Sequence, residues 1–96
     1  MSDTLRDLDV SQLEPPEPLQ QALAAVDTLA TGVCLCLLHR REPLLLFPVL
    51  EQRGYDHITR EIPRADNGMP AFHIYIWRQH DTRAEAVACQ ALSQLP

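Results

Sequence analysis

Hydrophobic patterns typical of strands and of helices alternate along the chain. Residues 71–78, AFHIYIWR, place Phe72, Ile74 and Ile76 on one side and larger polar or aromatic side chains on the other, as in a strand with two different faces. Residues 33–39, VCLCLLH, are apolar almost throughout, which is typical of a strand buried on both faces. Residues 82–95 instead carry apolar side chains three or four positions apart, which indicates an amphipathic helix.

The complete pattern predicts four strands and three helices. The predicted strands are 5–10, 33–39, 55–62 and 71–78, and the predicted helices are 16–30, 43–53 and 82–95. Pro48 falls inside the second helix, so this helix is either kinked there or begins its regular part there. We expect Gly32 to end the first helix and Gly54 to end the second. A capping box formed by Thr82 and Glu85 would open the third.

The order of these elements predicts the fold. Two strand–helix–strand crossovers favour three parallel strands, and Asn67-Gly68 is a turn that would pair the fourth strand antiparallel with the third. The predicted class is α/β (α+β): a two-layer α/β sandwich with a mixed four-stranded sheet in β-α-β-α-β-β order and an additional C-terminal helix. Residues 1–96 would form a single domain, with its core at about 5–78 and the last helix at about 82–95.

Composition and charge exclude several functions. The net charge is −5 and the chain contains no lysine, so we expect no binding to nucleic acid or to an anionic membrane and no Schiff-base chemistry. The three glycines are too far apart for a phosphate-binding loop. Three cysteines are an odd number without zinc spacing, and the N-terminus lacks the apolar run of a signal peptide. We expect a cytoplasmic protein without a cofactor.

A proline cluster precedes the first helix. LEPPEPL, residues 13–19, has three prolines in four positions. Prolines cost little there, because the first four N–H groups of a helix have no partner within it. The longer segment LDVSQLEPPEPL, residues 8–19, resembles the start of the TusA/SirA-like sulfur carriers, in which a strand leads into a Cys-Pro-x-Pro motif. Pro16-Glu17-Pro18 match Pro-x-Pro, and Pro15 stands where the family has its sulfur-carrying cysteine.

A second segment resembles one branch of that superfamily. His39-Arg40-Arg41-Glu42-Pro43 is similar to the H-x-R-E-P segment of domains of unknown function that lack the carrier cysteine. The resemblance covers about residues 5–78 and implies the sandwich described above. Because such domains occur beside or fused to hemerythrin-like and nitrogen-oxide-metabolism proteins, it also implies a link to sulfur or nitrogen-oxide metabolism. Without the cysteine it implies no carrier activity.

The remaining cysteines are weak candidates to replace the missing thiol. Cys34 and Cys36 lie on one side of a buried-type strand, where cysteine usually packs as a small hydrophobe. Cys89 lies beside the apolar stripe of the last helix. We therefore expect no catalytic residue and no enzymatic activity.

One edge of the sheet gathers polar side chains. If the first two strands are parallel, the end of the second lies beside the entrance of the first helix. This partner- or ligand-binding edge would contain Glu14, Glu17, His39, Arg40, Arg41 and Glu42. It would hold a small anion or recognise the tail of a partner. The alternative is a solvated loop whose ion pairs contribute little.

The four histidines permit a second hypothesis. They show no HExxH pattern, but His57 and His73 would be cross-strand neighbours and would form a two-histidine site. A metal- or heme-binding redox accessory protein is therefore the alternative function. Exposed strand histidines without a metal are commoner, so no metal is the leading expectation.

The open face of the sheet suggests an interface. With both helices on the Ile74 side, the other face would show His73, Tyr75 and Trp77, with His57 or Tyr55 nearby. Either the last helix folds back over this patch or a second copy covers it; we expect the homodimer, because the stripe of the helix is mostly alanine and its linker is short. The leading function is a small, non-enzymatic interaction or regulatory module that binds a protein partner or itself.

Overall fold

The order of elements is as predicted. The structure is a computed structural model and describes residues 4–63 and 70–95. Its elements are β1 (Leu5–Asp9), α1 (Glu17–Asp27), β2 (Cys34–His39), α2 (Leu46–Gln52), β3 (Tyr55–Pro63), β4 (Pro70–Arg78) and α3 (Thr82–Ser93). The predicted turn at Asn67-Gly68 lies outside the described residues. None of the helices in the described ranges is long and apolar enough to span a bilayer.

The four strands form one mixed sheet in the order β1-β2-β4-β3. β1 and β2 are parallel, and β4 runs antiparallel to both β2 and β3. The first three strands therefore share one direction, as predicted, and β4 returns between β2 and β3. The sheet, α1 and α2 form the two-layer α/β sandwich, and α3 is the additional helix.

The main core lies between the sheet and the helices α1 and α2. Leu35 pairs with Ile76, and Leu37 pairs with Ile74, so β2 and β4 present a continuous apolar surface. The largest fully buried side chains on this face are Val10, Val26, Leu35, Leu37, Leu46, Leu50, Ile74 and Ile76. Burying side chains of this size contributes about 1.5–3 kcal/mol each. Because this burial determines which side of a strand faces the core, the apolar pattern of β2 and β4 predicted both strands correctly.

Two polar side chains secure the C-terminal end of α1. The Tyr55 hydroxyl donates to the Val26 carbonyl at 2.8 Å. The Arg78 guanidinium donates to the Leu29 carbonyl at 2.8 Å and lies over the Tyr55 ring, 5.8 Å from its centroid. These contacts give side-chain donors to the Val26 carbonyl in the last turn of α1 and to the Leu29 carbonyl just after the helix. Tyr55 thus belongs to the α1 side of the sheet, and its predicted place near Trp77 is wrong.

α1 is shorter than predicted. It begins at Glu17 and ends at Asp27 instead of continuing to residue 30. The Thr28 and Leu29 amides donate to the carbonyls of Ala25 and Val26, and this tight last turn brings Leu29 into the core. Gly32 therefore does not end the helix but forms the later turn into β2, with φ of +81°.

Pro48 neither kinks α2 nor marks the start of its regular part, so both predicted alternatives are wrong. α2 begins at Leu46, so Pro48 is its third residue and lies in the first turn. An N–H group at this position has no partner within a helix, and proline is tolerated there. Residues 43–45 form a turn outside the helix. Gly54 follows α2 with φ of +85° and ends it as predicted.

The opposite face of the sheet is covered by α3, which contradicts the predicted exposed patch. Tyr75 and Trp77 are only 3% and 4% exposed, and they pack with Cys34, Cys36, Ala84 and Ala88. The alanines, taken from the sequence as a weak stripe, instead let the helix approach the aromatic rings closely. The predicted homodimer through His73, Tyr75 and Trp77 loses its basis here, because Tyr75 and Trp77 are buried within one chain; the oligomeric state itself stays untested.

The start of α3 explains how the short linker after β4 allows this helix to fold back over the sheet. His80 adopts a positive φ of 69°, which reverses the chain directly after β4. The N-cap is Asp81 rather than the predicted Thr82: the Asp81 carboxylate accepts from the Ala84 amide at 3.1 Å. Its second oxygen accepts from the Gly32 amide at 2.8 Å. One carboxylate therefore caps α3 and ties it to the turn before β2.

Candidate functional site

An open cleft of about 340 Å³ lies where β2 ends and α1 begins. One wall is the proline cluster at the entrance of α1, and the other is the turn that leads into α2. The apolar lining residues are Pro15, Pro16, Pro18, Leu19, Leu37, Pro43, Leu44, Leu45 and Leu46. Three polar side chains complete the lining: His39, Arg41 and Glu42. A mainly apolar cavity with a few polar groups is the usual form of a binding site.

A smaller cleft of about 250 Å³ adjoins the first. It is lined by Leu13, Glu14, Pro15, Pro18, His39, Arg40 and Arg41. Pro15, Pro18, His39 and Arg41 contribute to both cavities. The two cavities are therefore halves of one surface, with His39 and Arg41 between an apolar half and a more polar half.

Two leucines on the rim of the larger cleft are exposed to solvent. Leu44 is 66% exposed and Leu45 is 80% exposed. They lie in the turn before α2, while Leu46, the next residue, is fully buried in the core. Two adjacent leucines exposed beside an apolar cavity extend its surface and are typical of an interaction site.

The neighbouring arginines make different contacts. The Arg40 guanidinium pairs with the Glu14 carboxylate at 3.2 Å and so links the end of β2 to the entrance of α1. Within the described residues, no hydrogen bond or ion pair involves the guanidinium of Arg41, which is exposed at the cleft. Of the two positive charges, Arg41 is therefore the one available to a ligand.

His39 is held as a neutral imidazole. Burial, with the positive charges of Arg40 and Arg41 adding to it, lowers the pKa of His39 below its ordinary value. Its Nδ1 accepts a hydrogen bond from the Arg41 backbone amide at 3.0 Å. In a neutral imidazole with an accepting Nδ1, the proton is on Nε2. His39 thus contributes a neutral N–H donor.

The entrance of α1 offers few backbone donors to an anion. Of the four N–H positions at the start of a helix, Pro16 and Pro18 have none, and the Glu17 amide donates to the Glu14 carbonyl at 2.9 Å. Only the amide of Leu19 remains. A charged group in the cleft would therefore depend on side chains rather than on the helix end.

The structure brings most of the predicted edge together. Each of five predicted residues lines one or both cavities: Glu14, His39, Arg40, Arg41 and Glu42. The sixth residue, Glu17, is exposed at the first position of α1 and lines neither.

The apolar half of the site was not predicted from the sequence. The signal was the run PLLL directly after Glu42, since three consecutive leucines cannot all lie on the buried side of one helix.

The cysteines lie away from the cleft. Cys34 and Cys36 are buried under α3, as their predicted core role requires, and Cys89 is exposed on α3. Burial raises the pKa of the Cys34 thiol to about 12 and also raises that of Cys36. Both thiols are therefore protonated at neutral pH and are poor nucleophiles.

The predicted two-histidine site does not form. His57 pairs with Ile76 and lies on the α2 side, where its ring stacks on Phe47 at 4.5 Å and its Nε2 contacts the Glu51 carboxylate at 3.0 Å. His73 pairs with Arg60 and lies on the opposite face of the sheet. Among residues 4–63 and 70–95, no three His, Cys, Asp or Glu side chains are grouped to hold a metal ion.

Residues 7–78 match the model of a family described as an uncharacterized conserved protein, DUF2249. The chain belongs to the DUF2249 family. The matched segment includes every residue that lines the two cavities and ends before α3. No curated protein and no solved structure matches the chain. The DUF2249 description assigns no activity, and kinship to the sulfur carriers stays a prediction.

Proposed function

We propose that this DUF2249 domain is a non-enzymatic interaction module that binds a protein partner through the cleft between the proline cluster and the turn before α2. The observation that carries the proposal is the apolar cleft itself, extended by the exposed leucines Leu44 and Leu45. Exposed apolar surface beside a preformed cavity favours binding. The ion pair of Arg40 with Glu14 lies at the polar end of the same surface and, because it is exposed, contributes little to stability.

The residues of the cleft support a non-enzymatic role. Pro15 occupies the position at which the resembling sulfur carriers have their cysteine. The residues that line the two cavities include no cysteine, serine, threonine or lysine, so this surface offers no thiol, hydroxyl or amine nucleophile. The rigid helix entrance would then serve as a wall for binding instead of as a thiolate site.

The proposal includes the wider context that the resemblance implies. The domain would be a cytoplasmic relative of the TusA/SirA-like carriers that has kept the helix entrance and lost sulfur transfer. Its partner would act in sulfur or nitrogen-oxide metabolism. The strand–helix order and the mixed sheet are those that the resemblance implies.

Site-specific photo-crosslinking tests the proposal. A benzophenone amino acid replaces Leu45 at the rim in one variant and Gln90, exposed on α3, in the control. In the native cell we expect irradiation to give one discrete adduct from position 45 and none of the same mass from position 90. Equal adducts from both positions, or none from position 45, would contradict an interaction at the cleft.

A further inference from the structure

We propose that the cleft binds the C-terminal residue of the partner protein. Its large apolar side chain would enter the cleft, its terminal carboxylate would meet Arg41 and the Nε2–H of His39, and its amide N–H would donate to Glu42. This inference rests on the proposed function and names the part of the partner that is recognised.

The size and lining of the cleft select the side chain. About 340 Å³ is at the lower end of ligand cavities and suits one large apolar side chain with the adjoining backbone. The inner walls are proline rings and leucines such as Leu19 and Leu37. A charged or strongly polar side chain would lose its hydration there without gaining a partner. We therefore expect leucine, phenylalanine or methionine at the end of the tail.

The charge at the rim selects a carboxylate. Arg41 presents a guanidinium that makes no ion pair within the described residues, whereas Arg40 is already engaged by Glu14. A guanidinium can bind a carboxylate through two parallel hydrogen bonds, which fixes orientation as well as charge. His39, neutral and with its proton on Nε2, adds a donor beside it.

Glu42 distinguishes a peptide terminus from other apolar anions. A fatty acid has no N–H group to offer Glu42 and would meet only its negative charge. An internal apolar segment of a protein has no charge for Arg41. A C-terminal residue carries a carboxylate and an amide N–H on either side of its Cα atom, so it matches one cation, one donor and one acceptor. Other sites that bind a terminal carboxylate use backbone N–H groups as donors, whereas the donors here would be the side chains of Arg41 and His39.

Peptide titration of the full chain provides the test. The probe is a short peptide, Gly-Ser-Gly-Ser-Leu, with a free carboxylate, and amide resonances of the ¹⁵N-labelled protein report binding. We expect saturable shifts confined to the segment 39–46 and the entrance of α1. Amidation of the terminus, or replacement of the last leucine by serine, should weaken binding about tenfold or more, because a charged hydrogen bond or the buried side chain is lost.

Two exposed arginines supply a matched pair of variants. Arg41→Gln should weaken binding of the leucine peptide about tenfold. Arg53→Gln is the same change outside the cleft, because Arg53 pairs with Asp27 and lines neither cavity, and it should alter binding about twofold or less. Equal binding of the amidated peptide, equal effects of the two variants, or octanoate binding as tightly as the peptide would each overturn the inference. A discrete adduct from position 45 in the cell, together with no peptide binding, would refute recognition of a C-terminal residue but would not contradict the proposed interaction module.

Discussion

Both faces of the sheet carry apolar side chains, but the chain covers the two faces differently. On the α3 face, Trp77 is 4% exposed and Tyr75 is 3% exposed under a helix of small residues. At the end of β2 on the other face, Leu44 and Leu45 remain 66% and 80% exposed beside an open cleft. The aromatic face, predicted to be an interface, is closed within the chain, and the leucine-rich turn, predicted to be part of a helix, is open.

The difference follows from which segments cover each face. The family match ends at residue 78, so the cover over Tyr75 and Trp77 comes from α3, beyond the matched segment. The cleft is built entirely from residues within it. The feature that belongs to the DUF2249 segment is therefore the cleft, while the closure of the aromatic face belongs to the C-terminal helix of this chain.

The largest expected effect is on the closed face. Trp77→Ala should destabilise the protein by about 3–5 kcal/mol, because it removes a buried aromatic ring and leaves a cavity between β4 and α3. Urea unfolding followed by circular dichroism measures this change.

The open face supplies the control for Trp77. Leu45→Ala removes an exposed apolar side chain and should change the free energy of unfolding by no more than about 0.5 kcal/mol. If both variants were equally destabilised, or if Trp77→Ala were neutral, the contrast between a closed and an open face would be wrong.

A smaller effect is expected at the attachment point of α3. Asp81→Ala should cost about 1 kcal/mol, since it removes the N-cap and the contact with the Gly32 amide. These hydrogen bonds lower the pKa of the Asp81 carboxyl below its ordinary value of 3.8. A lowered folded-state pKa gives stability that is present above the unfolded pKa and is lost as pH falls through the folded one. The difference between wild type and Asp81→Ala should therefore be constant near neutral pH and shrink below about pH 3.8.

Thr82→Ala is the matched control for this cap. Thr82 was the predicted cap but is the first helical residue, and its hydroxyl makes no hydrogen bond in the described part of the chain. The substitution should leave stability nearly unchanged at every pH. A loss equal to that of Asp81→Ala would restore the predicted capping box.

The fold was largely predictable because its strong signals are local. The alternation in residues 71–78 and the apolar run of β2 both report burial directly, and both strands form as predicted. The sequence could not show where α3 packs, because alanines such as Ala84 and Ala88 are equally compatible with solvent and with close contact to a sheet. The position depends on the turn at His80 and the long-range contact between Asp81 and Gly32.

The candidate site was predictable in its charges and not in its shape. A parallel β1–β2 pair was enough to bring Glu14 near Arg40, since both follow strands that end at the same edge. The different roles of Arg40 and Arg41 depend on side-chain contacts that no sequence pattern encodes. The false pairing of His57 with His73 has a different origin, because the register of the β3–β4 pair decides which face of the sheet each histidine occupies.

Apart from the two control variants, the smallest expected effect on stability is at the polar rim. The double variant Arg40→Ala and Arg41→Ala removes one exposed ion pair and one guanidinium without a partner in the described residues, so it should cost no more than about 1 kcal/mol. Thermal unfolding measures this cost, and the Leu45 photo-crosslink in the same background measures binding. We expect a nearly unchanged melting temperature together with loss of the adduct, because the rim provides recognition and the core provides stability. A large fall in melting temperature would show instead that the pair of Arg40 with Glu14 holds the walls of the cleft together. The arginines would then be structural, and their proposed role in recognition would be wrong.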